Sequence, residues 1–258
     1  MSKEKVRVGF FDFAGCEGCQ LTVIDTLQLH PELIEILDIV SFREASSAMS
    51  DDFDLAFVEG SITRASDEDR LLAIRERAKV VIALGACACT GGVNALRNQA
   101  SLETIRKQVY GDLAEHYEAD HARPISEFIP IEGFIPGCPI DRGEFARAIT
   151  SLLQGLPPEI PDYPLCVECR LKENACLLER GKPCLGPVVR AGCGALCPSH
   201  GVPCEGCRGF IPDANLPYLR KIFSEMRYSQ DEIHRFLDIF LSHPLIDMQA
   251  SPASITEA

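Results

Sequence analysis

Cysteine is the residue type that most constrains this chain, because it occurs 13 times in 258 residues. Twelve of these cysteines fall into three groups of four. The first group is spread over the N-terminal half and consists of Cys16, Cys19, Cys87 and Cys138. The other eight crowd into one C-terminal stretch and are Cys166, Cys169, Cys176, Cys184, Cys193, Cys197, Cys204 and Cys207. Thiols in multiples of four, in a chain without an export signal, indicate metal binding rather than disulfides.

The overall composition is that of a soluble globular protein, with 46% hydrophobic and 24% charged residues. A formal net charge of −13 argues against nucleic acid as a partner, since phosphate binding needs a basic face. The first residues run directly into an apolar strand, without an apolar leader or a twin-arginine pair. No apolar run approaches the roughly 20 residues that span a bilayer. We therefore expect a cytoplasmic protein without direct membrane insertion.

Residues 1–155 show an alternation of strands and helices that predicts one α/β domain. Strands are predicted at 6–13, 35–42, 54–59 and 80–85 and within 127–135, and helices at 20–27, 67–79 and 142–154. Ser66 and Asp141 are the predicted N-caps of the second and third helices. This alternation predicts a doubly wound parallel sheet.

Residues 156–258 have a different character and are predicted to form a second domain. A proline-rich linker at 156–164 precedes residues 165–210, which are rich in Cys, Gly and Pro and lack periodicity. We expect this irregular segment to fold around metal rather than around an apolar core. Two helices are predicted to close the chain, at 214–226 and after the capping box that begins at Ser229.

The first four cysteines each lie at or just beyond the carboxyl end of a predicted strand. Loops at those ends converge on one crevice in a doubly wound sheet, so distant cysteines are expected to meet there. Gly15, Gly85 and Gly137 precede these loops and allow tight turns. The alternative is that Cys87 and Cys138 are ordinary core thiols.

The later eight cysteines divide by order into two sets, and both zinc and iron–sulfur chemistry suit four thiolates. Proline directly follows Cys138 and Cys197, as it follows the last cysteine of ferredoxin runs. Zinc also gives no reason for a four-cysteine crevice in a doubly wound domain. Iron–sulfur is therefore favoured, while a zinc-stabilised interaction module and a stand-alone iron–sulfur carrier remain alternatives.

The order Cys-x2-Cys, Gly-Ala-Cys, Pro-Gly-Cys-Pro and then two cysteine-rich sets resembles the small subunit of nickel–iron hydrogenases over nearly the whole chain. The cytoplasmic group, with sulfhydrogenase delta subunits and viologen-reducing hydrogenase small subunits, is the most similar. The resemblance implies a flavodoxin-like N-terminal domain and an electron-transfer role. It also implies a large subunit that carries the nickel–iron centre, and a further flavin or iron–sulfur subunit. No catalytic residue is expected in this chain itself.

The resemblance further implies three 4Fe–4S clusters, one on each set of four cysteines. The proximal cluster would use Cys16, Cys19, Cys87 and Cys138; the distal cluster Cys166, Cys169, Cys176 and Cys184; and the medial cluster Cys193, Cys197, Cys204 and Cys207.

Departures from other members of the family refine these expectations. Membrane-bound and periplasmic members have a histidine in place of Cys166 and a 3Fe–4S centre where this chain has Cys197. All-thiolate cubanes of low potential are therefore expected. Oxygen-tolerant members add cysteines at the places of Gly18 and Gly92, so an ordinary proximal cubane is expected. Cys89 matches no ligand position of the family and is interpreted as a structural residue.

The electron acceptor stays open between NAD(P) through a flavin subunit, a deazaflavin, ferredoxin, and heterodisulfide reductase through a linker subunit. The subunit of respiratory complex I that holds only the proximal-type cluster is the third alternative. This alternative is disfavoured by the eight additional cysteines of the present chain. It is also disfavoured because Cys16 and Cys19 do not form a pair of adjacent cysteines.

Overall fold

A computed structural model describes residues 5–250 of the protein. Its centre is a five-stranded, fully parallel sheet in the order β2-β1-β3-β4-β5. The strands are β1 (Val6–Asp12), β2 (Leu37–Phe42), β3 (Leu55–Glu59), β4 (Val80–Leu84) and β5 (Gly133–Ile135). This strand order is that of flavodoxin-like, doubly wound sheets. The predicted fold class is therefore confirmed.

Helices alternate with the strands and then continue into the C-terminal part. They are α1 (Gly18–Leu29), α2 (Glu32–Ile36), α3 (Ala65–Arg77), α4 (Gly85–Thr90), α5 (Leu102–Tyr110), α6 (Arg142–Leu153), α7 (Cys166–Leu171), α8 (Leu196–Ser199), α9 (Leu216–Glu225) and α10 (Gln230–Ala250). Three 3₁₀ segments, Gly92–Gln99, Gly111–His116 and Ile125–Glu127, connect α4 to β5 together with α5.

Apolar layers cover both faces of the sheet, as β3 shows most directly. All five of its residues are buried. Leu55 and Phe57 point into the layer that contains α1 and α6, while Ala56 and Val58 point into the layer that contains α3. Alternate side chains of a strand face opposite sides of a sheet, so a strand buried along its whole length must be covered on both faces.

The predicted helix caps meet different outcomes. Asp141 caps α6, and its side chain accepts a hydrogen bond from the backbone N–H of Glu144 at 2.8 Å. The prediction for Ser66 was wrong, because α3 begins at Ala65, one residue earlier. The carboxylate of Glu118, distant in sequence, accepts from the N–H of Ala65 at 2.8 Å and from the hydroxyl of Ser66 at 3.1 Å. A tertiary contact thus supplies the cap.

The predicted strand at 35–42 begins two residues late, because a short helix, α2, occupies Glu32–Ile36. Glu32 and Glu35 lie in the first turn of that helix, where negative charge is favoured by the helix dipole. Leu37 is the first residue of β2 and is buried.

The C-terminal part has an apolar core, which corrects the expectation that residues 165–210 fold around metal alone. Five buried aliphatic residues of that segment pack in one cluster with α9 and α10; they are Leu165, Leu177, Leu185, Val188 and Val189. Phe223 of α9 and Leu237 of α10 are fully buried in the same cluster. The segment therefore shares a core with the closing helices, which the lack of periodicity concealed.

Helix α10 also packs back against the N-terminal part. The hydroxyl of Thr90 donates to the carbonyl of Phe240 at 3.3 Å, and the amide of Gln99 donates to the hydroxyl of Ser242 at 3.3 Å. The two predicted domains, 1–155 and 156–258, are thus joined by side-chain contacts as well as by the linker. None of the helices within residues 5–250 has the length and apolar character needed to cross a bilayer.

The shared C-terminal core predicts a stability difference between two aromatic residues of α9. Phe223 is fully buried, whereas Tyr218 is 59% exposed. Phe223→Ala is expected to lower the free energy of unfolding by about 3–5 kcal/mol, since it leaves a cavity. Tyr218→Ala, the matched control, is expected to change it by less than about 0.5 kcal/mol. Chemical denaturation of the anaerobically purified protein, followed by circular dichroism, measures both. Equal losses of unfolding free energy in the two variants would contradict the burial of Phe223 in a shared C-terminal core.

Candidate metal centres

The proximal set of cysteines lies at the carboxyl edge of the sheet. Cys16 and Cys19 lie in the β1–α1 turn and the first turn of α1, Cys87 lies in α4 directly after β4, and Cys138 follows β5. Cys16 and Cys138 are exposed, Cys87 is half-buried and Cys19 is buried. The parallel sheet thus gathers four thiols that are far apart in the sequence, at the edge where such folds bind ligands.

The thiols of this set influence one another electrostatically. Burial raises the pKa of Cys87 to about 12, and the next causes are the neighbouring thiols of Cys138 and Cys16. Burial raises the pKa of Cys138 too, with Cys16 again contributing. The pKa of Cys19 is raised further still, by burial and then by the carboxylate of Glu59. Without metal these groups are protonated thiols, and metal binding must displace their protons.

Gly85 is required by the packing of the proximal set. It begins α4 with a left-handed φ of 82°, and a β-carbon added to it would lie 2.4 Å from the sulfur of Cys19. Its neighbour Ala86 donates a backbone hydrogen bond of 2.7 Å to the carbonyl of Gly137, beside Cys138. The helix start after β4 is thereby pressed against the other two ligand loops.

Glu59 is a site residue that the sequence pattern did not reveal. It is the last residue of β3 and is 4% exposed. Its carboxylate accepts from the backbone N–H of Cys19 at 3.1 Å and of Gln20 at 2.9 Å, and so caps α1 from another element. Burial raises the pKa of Glu59, and these hydrogen bonds oppose the shift. A charged residue ending an otherwise apolar strand was the available signal.

The distal set surrounds an open cavity. Cys166, Cys169, Cys176 and Cys184 all line a cavity of ≈ 430 Å³. Cys166 and Cys169 lie in α7, and burial raises the pKa of Cys166 to about 11, followed by the influence of the other three thiols. Asn174 donates a hydrogen bond of 3.6 Å to the sulfur of Cys169.

The medial set lines a second cavity, of ≈ 130 Å³, which it shares with the proximal residue Cys138. The four medial cysteines in its wall are Cys193, Cys197, Cys204 and Cys207. Ala195, between the first two of them, adopts a left-handed φ of 50°, as Glu17 does between Cys16 and Cys19 with a φ of 60°. Non-glycine residues rarely adopt this conformation, and such residues cluster at functional sites.

The three sets adjoin one another in the order proximal, medial, distal. Proximal Cys138 and medial Cys207 line the same cavity. The backbone N–H of medial Cys204 donates to the sulfur of distal Cys184 at 3.4 Å. Glu168, between two distal cysteines, accepts from the N–H groups of Gly192 at 2.8 Å and Ala195 at 3.1 Å in the medial loop.

Cys89 lies outside the three sets of cysteines. The thiol of Cys89 points to the carbonyls of Ala83 at 3.8 Å and Ile135 at 3.9 Å, at the ends of β4 and β5. His200 is exposed. Gly18 and Gly92 adjoin the proximal thiols, since β-carbons added there would lie 3.3 Å from the sulfur of Cys16 and 2.9 Å from that of Cys87.

The chemistry of the donor sets decides which metal group they fit. In the part of the chain that the structure describes, no three His, Cys, Asp or Glu side chains converge closely enough to hold a single metal ion. The distal thiols instead stand around a volume of ≈ 430 Å³, and the medial thiols around one of ≈ 130 Å³. Tetrahedral zinc would draw its ligands to about 2.3 Å from one centre. Four thiols around a larger volume fit a cluster.

Comparison with known proteins places the chain in a family. Residues 16–152, just over half of the chain, match the family model described as NADH ubiquinone oxidoreductase, 20 Kd subunit. Subunit delta of sulfhydrogenase 2 from Pyrococcus furiosus is 35% identical over 237 residues, which cover 91% of this chain and 99% of that one. The chain belongs to this family, as a small subunit of the nickel–iron hydrogenase type.

Other relatives agree with this placement of the small subunit. A vhu subunit of the F420-non-reducing hydrogenase from Methanococcus voltae is 37% identical over 240 residues, covering 80% of this chain and 83% of that one. A solved structure of an NAD+-reducing [NiFe]-hydrogenase in the H2-reduced state includes a chain 28% identical to it. The two chains superpose with a TM-score of 0.54, and the alignment covers 61% of the present chain and 96% of the hydrogenase chain. The family model ends at residue 152, whereas the alignment with the sulfhydrogenase subunit covers 91% of this chain and so includes the cysteine-rich C-terminal segment.

The close approach between Gly85 and Cys19 predicts that a substitution at Gly85 selectively lowers the iron and sulfide content of the proximal set. Gly85→Ala would place a β-carbon 2.4 Å from the sulfur of Cys19. We expect this variant to lose part of its iron and sulfide, because the thiol must move out of position. Gly155→Ala is the matched control, since Gly155 has a similar φ of 76° but no atom within 4 Å of the added carbon. Metal and sulfide analysis of both variants measures the effect. Equal iron contents in the two would show that Gly85 does not position a ligand.

Proposed function

We propose that this small subunit relays electrons through three 4Fe–4S clusters between a nickel–iron large subunit and a redox partner. The large subunit carries out the reversible oxidation of dihydrogen, and the small subunit conducts the electrons. The single observation that carries the proposal is the arrangement of twelve thiols in three adjoining sets of four. When bound, such clusters supply one-electron transfer at potentials set by their surroundings.

The assignment of ligands follows the three sets. Cys16, Cys19, Cys87 and Cys138 would hold the proximal cluster. Cys193, Cys197, Cys204 and Cys207 would hold the medial cluster. Cys166, Cys169, Cys176 and Cys184 would hold the distal cluster. The cavity that Cys138 shares with Cys207, and the hydrogen bond from the N–H of Cys204 to the sulfur of Cys184, support the order along this path.

The residues of the chain prepare these sites in two ways. Hydrogen bonds to sulfur, such as those from Asn174 to Cys169 and from the N–H of Cys204 to Cys184, stabilise negative charge on the ligands. The apolar cores on either side exclude water from the inner thiols, of which Cys19, Cys184 and Cys204 are buried. The low dielectric favours a low potential, and the hydrogen bonds to sulfur act in the opposite direction.

Both ends of the path reach the surface, which supports the positions of the partners. At the proximal end Cys16 and Cys138 are exposed, and Leu21 of α1 beside them is 53% exposed. We place the large subunit on this edge, where it would cover the apolar side chain. At the distal end Cys176 is exposed, and Leu171 of α7 is 80% exposed. A flavin or iron–sulfur subunit in the cytoplasm would receive electrons there.

Composition of the purified complex tests the proposal as a whole. Anaerobic purification through a tag on the small subunit is expected to retain the large subunit, with nickel, and about twelve iron and twelve acid-labile sulfide per small subunit. Zinc without sulfide would select the zinc-stabilised module instead. Full iron and sulfide without nickel or a second chain would select the stand-alone carrier.

The order of the path predicts a separation of two activities. Cys184→Ala in the complex is expected to abolish hydrogen-dependent reduction of the natural acceptor, because the distal cluster is lost. Hydrogen–deuterium exchange, which needs only the large subunit, is expected to survive in large part. Cys89→Ala removes the one cysteine outside the sets and serves as the control that spares both activities. Equal loss of acceptor reduction and isotope exchange in Cys184→Ala would contradict the order.

A further inference from the structure

A buried ion pair between Arg208 and Glu144 joins the two parts of the chain. Arg208 is 3% exposed and Glu144 is 1% exposed. Their contact is two-pronged, with Nη2 of Arg208 donating to Oε1 of Glu144 at 2.6 Å and Nη1 donating to Oε2 at 2.9 Å. Paired, planar contacts of this kind hold a guanidinium in one orientation.

The remaining donors of Arg208 reach the backbone of two ligand loops. Nη1 also donates to the carbonyl of Pro136 at 2.8 Å, two residues before proximal Cys138. Nε donates to the carbonyl of Ala191 at 2.6 Å, two residues before medial Cys193. Arg208 itself directly follows medial Cys207 in the chain. One side chain therefore ties together three segments that carry cysteines of two different sets.

Gly192 leaves the space in which the ion pair lies. Its φ is 115°, and a β-carbon there would lie 2.2 Å from Nη2 of Arg208 and 2.6 Å from Oε1 of Glu144. Any other residue at this position would collide with both charged groups. The backbone next to Cys193 is thus shaped to admit the pair.

The guanidinium charge acts on the medial thiols. Burial would lower the pKa of Arg208, but its bonds with Glu144 and the nearby thiols of Cys193 and Cys207 raise it. Burial raises the pKa of Glu144, and Arg208 opposes that shift. The pair thus places a fixed cation, in a site closed to water, between the proximal and medial sets. Charges are screened far less in such a site than at the surface.

We propose that Arg208 is a positioning residue that raises the reduction potential of the medial cluster, and that Glu144 sets the size of this effect by holding and partly neutralising its charge. This inference rests on the proposed function, since it requires a cluster on the medial cysteines. A positive charge stabilises the reduced, more negative state of a nearby cluster, and a negative charge destabilises it. The two members of the pair should therefore act with opposite signs.

Potentials of the complex, measured by EPR-monitored redox titration, test the proposal. Arg208→Gln removes the cation and is expected to lower the medial midpoint potential. Glu144→Gln leaves the cation without its partner and is expected to raise it. Arg208→Lys keeps the charge but loses the two-pronged contact, so its potential should lie nearer to that of the wild type than the potential of Arg208→Gln. Arg180→Gln removes an equal charge from an exposed site and is expected to leave the potential unchanged.

The outcomes separate an electrostatic role from a purely structural one. Shifts of the same sign in Arg208→Gln and Glu144→Gln, or no shift in either while iron and sulfide stay at the wild-type level, would overturn the proposal. If Arg208→Gln fails to retain its medial cluster, Glu144→Gln alone decides the question. A lower or unchanged medial midpoint potential in Glu144→Gln would then overturn the proposal. Wild-type protein without iron and sulfide would instead refute the proposed function.

Discussion

The carboxyl edge of the parallel sheet is the constraint on which the rest of this protein depends. Four thiols that lie far apart in the sequence come together only because β1, β4 and β5 run in the same direction and end at the same level. The apolar layers on both faces fix those strands, so the stability of the sheet is also the stability of the proximal set. The medial and distal sets extend outward from this edge, with Cys138 in the wall of the medial cavity.

Electrostatics opposes this gathering of sulfur and explains several polar details. Burial raises the pKa of Cys87 and Cys207 to about 12 and about 11, and nearby thiols add to both shifts. Concentrated thiolates are therefore unfavourable until cations neutralise them. The backbone N–H of Cys204 and the amide of Asn174 donate to cysteine sulfurs, and the charge of Arg208 lies near the thiols of Cys193 and Cys207, in a chain whose net charge is −13. Residues 165–208 carry six basic side chains against four acidic ones, so this segment is locally positive in an acidic chain.

The sequence was informative wherever a local pattern carried the structure. Continuous apolar runs located β1, β3 and β4, and the capping signals at Asp141 and Ser229 were correct. The strand-end positions of the first four cysteines were enough to predict that they converge. The division of the other eight by order along the chain matches the two cavities they line, while their role as ligands stays a prediction.

What the sequence could not reveal depends on partners that are distant along the chain. Glu118 takes over the capping of α3, and Glu59 caps α1. Neither carboxylate stands near the helix it serves in the sequence, so no spacing rule finds it. The C-terminal core was missed because its aliphatic residues are separated by cysteines and glycines, which hides any period of 2 or 3.6.

The joint between the two parts of the chain explains why polar contacts are used where apolar packing would have sufficed for stability. A hydrophobic replacement of a buried ion pair is often neutral or stabilising, so stability alone does not account for Arg208 and Glu144. Apolar side chains can slide past one another, whereas a two-pronged ion pair with further bonds to Pro136 and Ala191 admits one arrangement. The electron transfer that we propose between the proximal and medial sets requires their separation to be fixed. Arg208 also directly follows medial Cys207, so under this proposal one side chain would set both the geometry and the potential.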